Sequence, residues 1–227
     1  MSQLELSTVA AVSARHLSYV ETGRSRPSRE LLLHLADRLD VPLRERNQLL
    51  LAAGFAPVFT QFDLDDPEMG PVAHALAVML AGNEPNPTLV MDRHWNLLMA
   101  NDSAMMLTAG AADHLFSPTI NILRVALHPD GLASRIVNLA EVAHHLIDRL
   151  TRQVNLTGDP ELVALLEESR EWTADIDEVE LEPTAVVVPM TMLIDGEERS
   201  YFSMVSTFGT AADVTAAELT IETFYPV

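Results

Sequence analysis

Apolar residues near the start of the chain recur at the spacing of short helices. A first run from Leu4 to Val9 is followed by a small-residue turn at Ala10-Ala11 and by a second run that Ser13 opens. Ser13 is a suitable N-cap, because its hydroxyl oxygen can accept a hydrogen bond from an unpaired N–H of the first turn. Leu17 and Val20 then lie on one helix face and polar residues on the other. Two short helices across a tight turn are typical of a helix-turn-helix, although periodicity alone also fits other helical hairpins.

Two further helices are predicted before residue 57. Ser28 can cap a helix that reaches about Leu39, with the acidic Glu30 favourably placed in its first turn. Pro42 suits the first turn of the next helix, and Gly54 supplies its C-terminal stop. The residues expected to face inward on these helices are Leu31, Leu32, Leu35, Leu39, Leu43, Leu50 and Leu51.

Beyond residue 70 the pattern changes to a mixture of helices and strands. Helices are predicted at Pro71–Ala81, Asn101–Leu107, Ile122–Leu127, Ser134–Val154 and Asp159–Trp172. Strands are predicted at Thr88–Met91, Trp95–Ala100, Thr184–Leu193, Ser200–Phe208 and Glu218–Tyr225. The acids that indicate an exposed loop before the last three strands are Asp175, Asp177, Glu178, Glu180 and Glu182. Two strands, several helices and then three strands is the order of a PAS-like antiparallel sheet with helices on one face.

The last strands carry two further signals. Asp195-Gly196 is a strong turn signal, in a loop that we expect to be longer than two residues. In the final strand, Leu219 and Ile221 alternate with polar residues that include Glu222. This alternation predicts a half-buried strand whose polar side chains face solvent.

The charge of the chain is divided unevenly along its length. The net formal charge of the 227 residues is −19, which by itself argues against nucleic-acid binding, because DNA phosphates repel an acidic surface. Residues 1–57, however, hold seven Arg and six acidic residues, a net charge of +1, whereas the remainder has a net charge of −20. Four of these arginines, Arg15, Arg24, Arg26 and Arg29, lie near the second helix of the hairpin. The N-terminal part is therefore compatible with DNA, with a small positive footprint.

Candidate catalytic and metal-binding groups are few. The chain has no Cys, which excludes disulfides and thiolate chemistry, and its nine Gly form no phosphate-binding loop. His144 and His145 are neighbours on a predicted helix, so their side chains diverge by about 100° and cannot share a metal without another ligand. His128 and Asp130 flank a proline and fit turn chemistry better than a ligand pair. We therefore expect no enzyme activity, no metal and no cofactor.

The chain also lacks the usual signals of membrane insertion and export. No stretch reaches the about 18 consecutive apolar residues of a membrane-spanning helix. No charged and apolar leader precedes a cleavage site. These patterns predict a soluble, cytoplasmic protein.

Methionines are concentrated on the predicted strands of one sheet. They are Met91, Met99, Met190, Met192 and Met204. Met fills irregular space and suits adaptable apolar pockets, but it is also an ordinary core residue. The pattern alone favours an ordinary core, and a ligand pocket remains the alternative interpretation.

Three N-terminal segments and one C-terminal segment carry a resemblance to known proteins. The N-terminal segments read SQLEL, VSARHLSYVETGRSRPS and LLLHLADRLDVPLRERNQLLLAAGFAP, and the C-terminal one reads YFSMVSTFGTAADVTAAELTIETFYP. The former resemble the lambda-repressor-like (Cro/XRE-type) helix-turn-helix domain, and the whole chain resembles bacterial regulators that join it to an MmyB-like ligand-binding domain. The chain departs from the first pattern at Ser7, where the family usually has Ala, and at Ala11, where it usually has Gly. The family's first helix would precede Ser2, where this sequence has only Met1, so we expect a truncated domain.

The resemblance implies an α+β chain with three parts. Residues 1–57 are expected to form a truncated, all-α helix-turn-helix domain, residues 58–70 a linker, and residues 71–227 a PAS-like α/β ligand-binding domain with an antiparallel sheet. The residues implied in DNA binding are Gln3, Ser13, Ala14, Arg15, Ser18, Tyr19 and Arg24. The residues implied in ligand binding are Met91, Trp95, Met99, Met190, Met192, Phe202 and Met204. The implied partners are a double-stranded DNA operator, a small apolar ligand such as a fatty acid, and a second copy of the chain.

The sequence therefore predicts a bacterial DNA-binding transcriptional regulator whose C-terminal domain senses a small apolar, fatty-acid-like ligand. An alternative is a ligand-binding or protein-interaction module whose DNA-binding domain has decayed. An enzyme is a third reading, and no motif supports it.

Overall fold

The computed structural model describes residues 2–176 and 187–227. Backbone contacts divide the chain into two units, the first comprising Met1–Phe62 and Thr210–Ala217, the second Asp63–Gly209 and Glu218–Val227. The domain limits expected from the sequence stay a prediction. Most of the acidic run, from Asp177 to Glu182, lies outside the described residues.

The first unit contains four helices that the sequence predicts. They are α1 (Gln3–Val9), α2 (Ala14–Glu21), α3 (Arg29–Arg38) and α4 (Leu43–Ala52). Ser13 caps α2, since its hydroxyl oxygen accepts a hydrogen bond from the backbone N–H of His16 at 3.2 Å. Ser28 caps α3 in the same way, with the N–H of Leu31 at 3.2 Å. Both N-caps predicted from the sequence are confirmed.

Two of the leucines expected to face inward in this unit are exposed, which corrects the prediction. Leu39 is 42% exposed because it is the C-cap of α3 and no longer follows the helical stripe. Leu51 is 58% exposed, whereas its neighbour Leu50 is fully buried. Consecutive helical residues point about 100° apart, so Leu50 and Leu51 cannot both face the core.

A late segment of the chain belongs to the first unit. Asp213 forms a parallel bridge with Thr60, and the N–H of Val214 donates to the Thr60 carbonyl at 2.8 Å. The side chain of Asp213 accepts a hydrogen bond from the N–H of Phe62 at 3.2 Å. Val214 is fully buried. Residues more than 150 positions apart in the sequence are thus packed together.

The second unit is built on a five-stranded antiparallel sheet. Its strands are β1 (Thr88–Met91), β2 (Leu97–Ala100), β3 (Met190–Ile194), β4 (Glu197–Ser206) and β5 (Thr220–Pro226), in the order β2-β1-β5-β4-β3. Its helices are α5 (Gly70–Asn83), α6 (Asp102–Leu107), α7 (Ile122–Leu127), α8 (Leu139–Thr157) and α9 (Pro160–Trp172). Helix α10 (Val214–Glu218), which precedes β5, belongs to the first unit except for its last residue. The predicted PAS-like mixed fold with an antiparallel sheet is confirmed.

Helices cover both faces of the sheet, not one as expected. On one face, Leu89 and Met91 pack with residues of α7, α8 and α9. On the other, Val90 and Ile221 pack with Leu76 and its neighbours in α5. Successive strand residues point to opposite faces, so adjacent residues of β1 serve two separate cores.

The helix predicted from Ser134 to Val154 begins later, at Leu139. The preceding residues are held by β3 instead. Ile136 forms a bridge with Met192, and the N–H of Val137 donates to the Thr191 carbonyl at 2.7 Å. The side-chain oxygen of Asn138 accepts a hydrogen bond from the N–H of Thr191 at 2.9 Å. These long-range bonds keep residues 136–138 out of the helix.

The turn at Asp195-Gly196 is tighter than expected. Asp195 has φ +52° and Gly196 has φ +81°, and Ile194 pairs directly with Glu197. The loop is therefore two residues long, with the positive φ angles of a type I′ hairpin. The polar residues at 197–199 hid the start of β4 from a hydrophobicity pattern.

Candidate functional site

The second helix of the N-terminal hairpin is fixed at its start, its inner face and its turn. Ser13 caps it, and Leu17 anchors it with only 2% of its surface exposed. The turn before it bends at Ala11, whose φ is +51°. This is the left-handed conformation that glycine adopts without strain, so the sequence departure at Ala11 falls where a Gly has a physical use.

The outer face of α2 and the loop that follows it carry a cluster of one tyrosine and two arginines. Arg15 donates from Nε and Nη2 to the hydroxyl oxygen of Tyr19, at 3.1 and 3.0 Å. Its guanidinium carbon is 5.4 Å from the centre of the Tyr19 ring, and that of Arg24 is 6.0 Å away. Arg15 and Arg24 are exposed. The aromatic ring thus holds two cations on one surface, where an arginine can bond guanine or a phosphate.

A cavity of about 90 Å³ lies in the second unit, between the sheet and helices α7 and α8. Its apolar lining comes from two helices, the β1–β2 turn, two strands and the residues before β3. These side chains are Trp95, Ile122, Ala126, Val142, Leu146, Val188, Met190 and Phe224. The polar side chains of the lining are His145, Ser203 and Glu222.

One lining residue, Glu222, forms an ion pair with Arg149, which lies behind the cavity wall. Glu222 is only 7% exposed, and its Oε2 accepts a hydrogen bond from Nη1 of Arg149 at 3.0 Å. The guanidinium carbon of Arg149 lies 4.4 Å from the centre of the Trp95 ring. The Trp95 indole N–H donates to the side chain of Gln153 at 2.9 Å, and Trp95 itself has φ +67°. A largely apolar cavity with a few fixed polar groups is the usual form of a small-molecule site.

Two family models match the chain. The helix-turn-helix model matches residues 1–46, and the model of the MmyB-like transcription regulator ligand binding domain matches residues 72–227, more than half of the chain. The chain belongs to the MmyB-like transcription regulators. A comparison with curated proteins found no match.

The MmyB-like regulator therefore combines a DNA-binding helix-turn-helix with a ligand-binding domain, and both resemblances seen in the sequence are confirmed. Its families are those of transcription regulators, which are not enzymes. Among the described residues, no helix is both long and apolar enough to cross a membrane.

The residues predicted to contact DNA fall into two groups in the MmyB-like regulator. Arg15, Tyr19 and Arg24 lie together in the cluster formed by α2 and the loop after it. Gln3 instead donates its side-chain amide to Glu21, and Ser13 uses its oxygen for the cap of α2. The remaining two, Ala14 and Ser18, are half-buried. Contact of any of them with DNA stays a prediction.

Two of the seven residues predicted to bind ligand, Trp95 and Met190, line the cavity. Met91 and Met192 face the same side of the sheet but are fully buried in the adjoining core. The other three lie elsewhere. Met99 packs with α5 on the opposite face, Phe202 packs against Tyr225 with ring centres 6.2 Å apart, and Met204 is 55% exposed.

Sequence reasoning missed most of the cavity wall. The alternation of side chains along β4 was one usable signal. Phe202 and Met204 must point to the opposite face from Ser203, so these three residues could not all line one cavity. The burial of Glu222 corrects the expected alternation of β5. Both faces of β5 are covered, so Ile221 packs toward α5 while Glu222 and Phe224 face α8, and Arg149 compensates the buried charge.

One histidine cluster has the composition of a metal site. The ligand atoms of His114, His128 and Asp130 lie within 4.8 Å of one another. However, Nδ1 of His128 already accepts a hydrogen bond from the backbone N–H of Asp130 at 3.0 Å, which is the turn chemistry that the sequence indicated. Elsewhere, His144 and His145 are both exposed, and His145 borders the cavity.

Proposed function

We propose that this regulator binds a small apolar, fatty-acid-like ligand in the cavity beside Trp95, and that the ligand changes its affinity for operator DNA. The observation that carries the proposal is the cavity itself, whose lining combines eight apolar side chains with the buried carboxylate of Glu222. Burying an alkyl chain there gains about 0.8 kcal/mol for each CH₂ removed from water.

The cavity is smaller than the roughly 300–1,000 Å³ of sites that enclose a drug-sized ligand. The flexible thioether side chain of Met190 can adopt other rotamers and so adapt the space to a longer chain. Val188 borders the cavity from the residues before β3. The adaptable Met190 side chain supports a ligand of short to medium chain length.

On the DNA side, Arg15 reads a base edge in the major groove and Arg24 contacts the phosphate backbone. Gln3 and Ser13 contact phosphates or neighbouring bases, and Ala14, Ser18 and Tyr19 complete the groove-facing surface of α2. The regulator acts as a homodimer, because a helix-turn-helix of this kind reads two half-sites about one helical turn apart. The cluster of Arg15 and Arg24 on Tyr19 supports these roles.

A cavity-filling variant tests the ligand proposal. Ala126→Phe places a ring in the space that the ligand needs, whereas Ala81→Phe adds the same ring at an exposed position of α5. Native mass spectrometry and solvent extraction of the full chain are expected to find an apolar molecule in the parent and in Ala81→Phe, and at least tenfold less in Ala126→Phe. Equal ligand content in all three proteins would reject this cavity as the site.

Regulation is tested with the same proteins on DNA. Adding a medium-chain fatty acid or alcohol is expected to change operator affinity at least threefold in the parent and in Ala81→Phe, but not in Ala126→Phe. Ligand binding without any change in operator affinity would reject the regulatory part of the proposal and leave ligand binding in the cavity standing.

A further inference from the structure

One short segment of the C-terminal half packs with the N-terminal unit. This segment, Thr210–Ala217, is called the strap below, and the residues on either side of it belong to the second unit. Both flanks are anchored there, because Phe208 and Leu219 pack in one hydrophobic cluster of the second unit. The strap is therefore a part of the first unit whose two covalent ends are held by the ligand-binding domain.

Asp213 attaches the strap to the rest of the first unit. Its Oδ1 accepts hydrogen bonds from the N–H groups of Thr215 and Ala216, at 2.9 and 3.2 Å, as the N-cap of a helix does. Its Oδ2 accepts the N–H of Phe62 at 3.2 Å, beside the bridge between Asp213 and Thr60. One carboxylate thus fixes the start of α10 and joins it to the residues that follow α4.

The residues next to this bridge are held by α4. The side-chain oxygen of Asn47 accepts the N–H groups of Val58 and Phe59, at 3.0 and 3.1 Å. Its amide donates to the Phe59 carbonyl at 2.8 Å. Because three hydrogen bonds from one side chain fix this backbone, a displacement of the strap reaches the helices of the DNA-binding unit.

A row of polar contacts leads from the cavity wall to the other end of α10. The indole N–H of Trp95 donates to Gln153, whose own amide donates to the Arg93 carbonyl at 2.6 Å. Nη1 of Arg93 pairs with Oε1 of Glu218, the last residue of α10, at 3.5 Å. The side chains of Arg93 and Glu218 are only 15% and 18% exposed, so salt screens their attraction weakly. The cavity wall and α10 are therefore connected.

We propose that the strap transmits ligand binding in the cavity to the DNA-binding unit, with Asp213 as its positioning residue. This coupling rests on the proposed function of the cavity and adds the route of its regulation. A medium-chain ligand needs more room than about 90 Å³, so the wall at Trp95 and β5 must shift to admit it. Helix α10 is tied to Trp95 by the polar contacts and continues into β5. The shift therefore pulls on the strap and loosens its bonds to Thr60 and Phe62, which changes how the helices are held for DNA.

Hydrogen exchange of two amides reports on the strap directly. The N–H of Phe62 donates to Asp213, and the N–H of Val214 donates to the Thr60 carbonyl. Saturating the full chain with decanoate is expected to speed the exchange of both at least about threefold, measured by NMR, because local opening exposes them. The N–H of Leu31, at the cap of α3, is the internal control and should not change. Unchanged exchange of Phe62 and Val214 in a chain that binds decanoate by calorimetry overturns the proposal.

A substitution tests the positioning role of Asp213. Asp213→Ala removes the bonds of the carboxylate and leaves the cavity lining intact, so decanoate affinity is expected to change less than about threefold. DNA affinity is measured on a duplex that the parent selects from a random pool. Decanoate should change this affinity at least about threefold in the parent and less than about 1.5-fold in Asp213→Ala. Ser28→Ala is the matched control, because it removes a helix cap of the same unit and should keep the full response.

A second variant acts at the other end of α10. Glu218→Gln keeps the size of the side chain and removes its charge pair with Arg93, so the decanoate response is expected to fall at least about twofold. Glu197→Gln is the control for the same change of charge, because its side chain is 77% exposed, and should keep the response. If Asp213→Ala fails to fold, Glu218→Gln decides in its place.

The outcomes separate the strap from the cavity. A full decanoate response in the strap variant overturns the strap as the route and leaves the cavity proposal standing. An equal loss of response in Ser28→Ala assigns the effect to general loosening of the first unit and overturns the role of Asp213. A parent chain that binds no decanoate, or binds it without a change in DNA affinity, overturns the proposed function, and the role of the strap falls with it.

Discussion

His94 and Asp159 are 65 residues apart in the sequence, and their side chains meet at 3.1 Å. The same Asp159 oxygen accepts a hydrogen bond from Arg93, while the other oxygen accepts the backbone N–H of Glu161 at 2.9 Å. Asp159 is thus both the N-cap of α9 and the point at which α9 is tied to the β1–β2 turn. That turn continues into Trp95, which lines the cavity, so the contact holds this part of the cavity wall in place.

Asp159 makes stability depend on pH. Burial by itself raises the pKa of Asp159, but the hydrogen bonds from His94 and from the Glu161 N–H, together with the Arg93 charge, hold the pKa below its usual value. The folded protein therefore binds this proton less readily than the unfolded chain. The resulting stability is present above the unfolded pKa of about 3.9 and is lost as the pH falls through the lower folded pKa.

Asp159→Asn keeps a capping side chain but removes the charge. We expect it to lower the free energy of unfolding by about 1–3 kcal/mol at pH 7, because hydrogen bonds to a charged group are lost. The difference from the parent should shrink as the pH drops below about 4. Urea denaturation as a function of pH measures both effects. Asp148→Asn, at an exposed i,i+4 pair with Arg152, is the control and should cost no more than about 0.5 kcal/mol.

Arg15 and Arg24 are expected to differ in their effects on DNA. Arg15→Ala should lower specific affinity by about 1–3 kcal/mol and relax the preference at one base pair, because a base contact is lost. Arg24→Ala should weaken all sequences alike and reduce the log–log salt slope by about one. Fluorescence anisotropy over a salt series separates the two. Arg38→Ala, in the last turn of α3, is the control with the same change of charge. Equal and sequence-independent losses at Arg15 and Arg24 would remove Arg15 from base readout.

Ala11→Gly should stabilise the N-terminal unit. Ala11 has φ +51°, a conformation that costs an alanine roughly 1–2 kcal/mol and a glycine little. Part of this gain is offset because glycine makes the unfolded chain more flexible, so we expect a net gain of about 0.5–1 kcal/mol. Ala10→Gly is the matched control and should destabilise, because Ala10 has φ −85° and is buried. Thermal unfolding monitored by circular dichroism measures the stability change of both variants, and a change of the opposite sign in either one would contradict the prediction.

Gly131 is expected to tolerate no side chain. A Cβ added there would lie 2.3 Å from the backbone oxygen of Val125, too close for any real contact. Gly131→Ala should therefore lower the free energy of unfolding by about 1–3 kcal/mol, as overpacking does. Gly82→Ala provides the contrast, because Gly82 lies within α5 with open space around it and should gain about 0.5–1 kcal/mol. Chemical denaturation of both variants tests the pair, and a stable Gly131→Ala protein would show that the α7 turn can move.

Locally encoded features were predicted well from the sequence. Helix α9 spans Pro160–Trp172 as expected, because the two residues at its start, the N-cap Asp159 and the first-turn Pro160, are both strong local start signals. The cavity could not be found in this way. Glu222 and Arg149 are 73 residues apart, and nothing near either one indicates the other. The non-helical backbone of residues 136–138 likewise depends on distant residues, since its partners are in β3. What the sequence could not supply is therefore the long-range pairing.

The central position of β5 has a consequence for how the protein is made. A ribosome releases the chain from its N-terminus, yet β5 is the last strand in the sequence and lies between β1 and β4. Until it emerges, the β1–β2 and β3–β4 hairpins have no strand to join them into one sheet. The first unit also remains incomplete until the segment Thr210–Ala217 has been synthesised, because this segment packs within it. A nascent chain therefore cannot complete its DNA-binding unit before the intervening sensor residues, 63–209, have been synthesised.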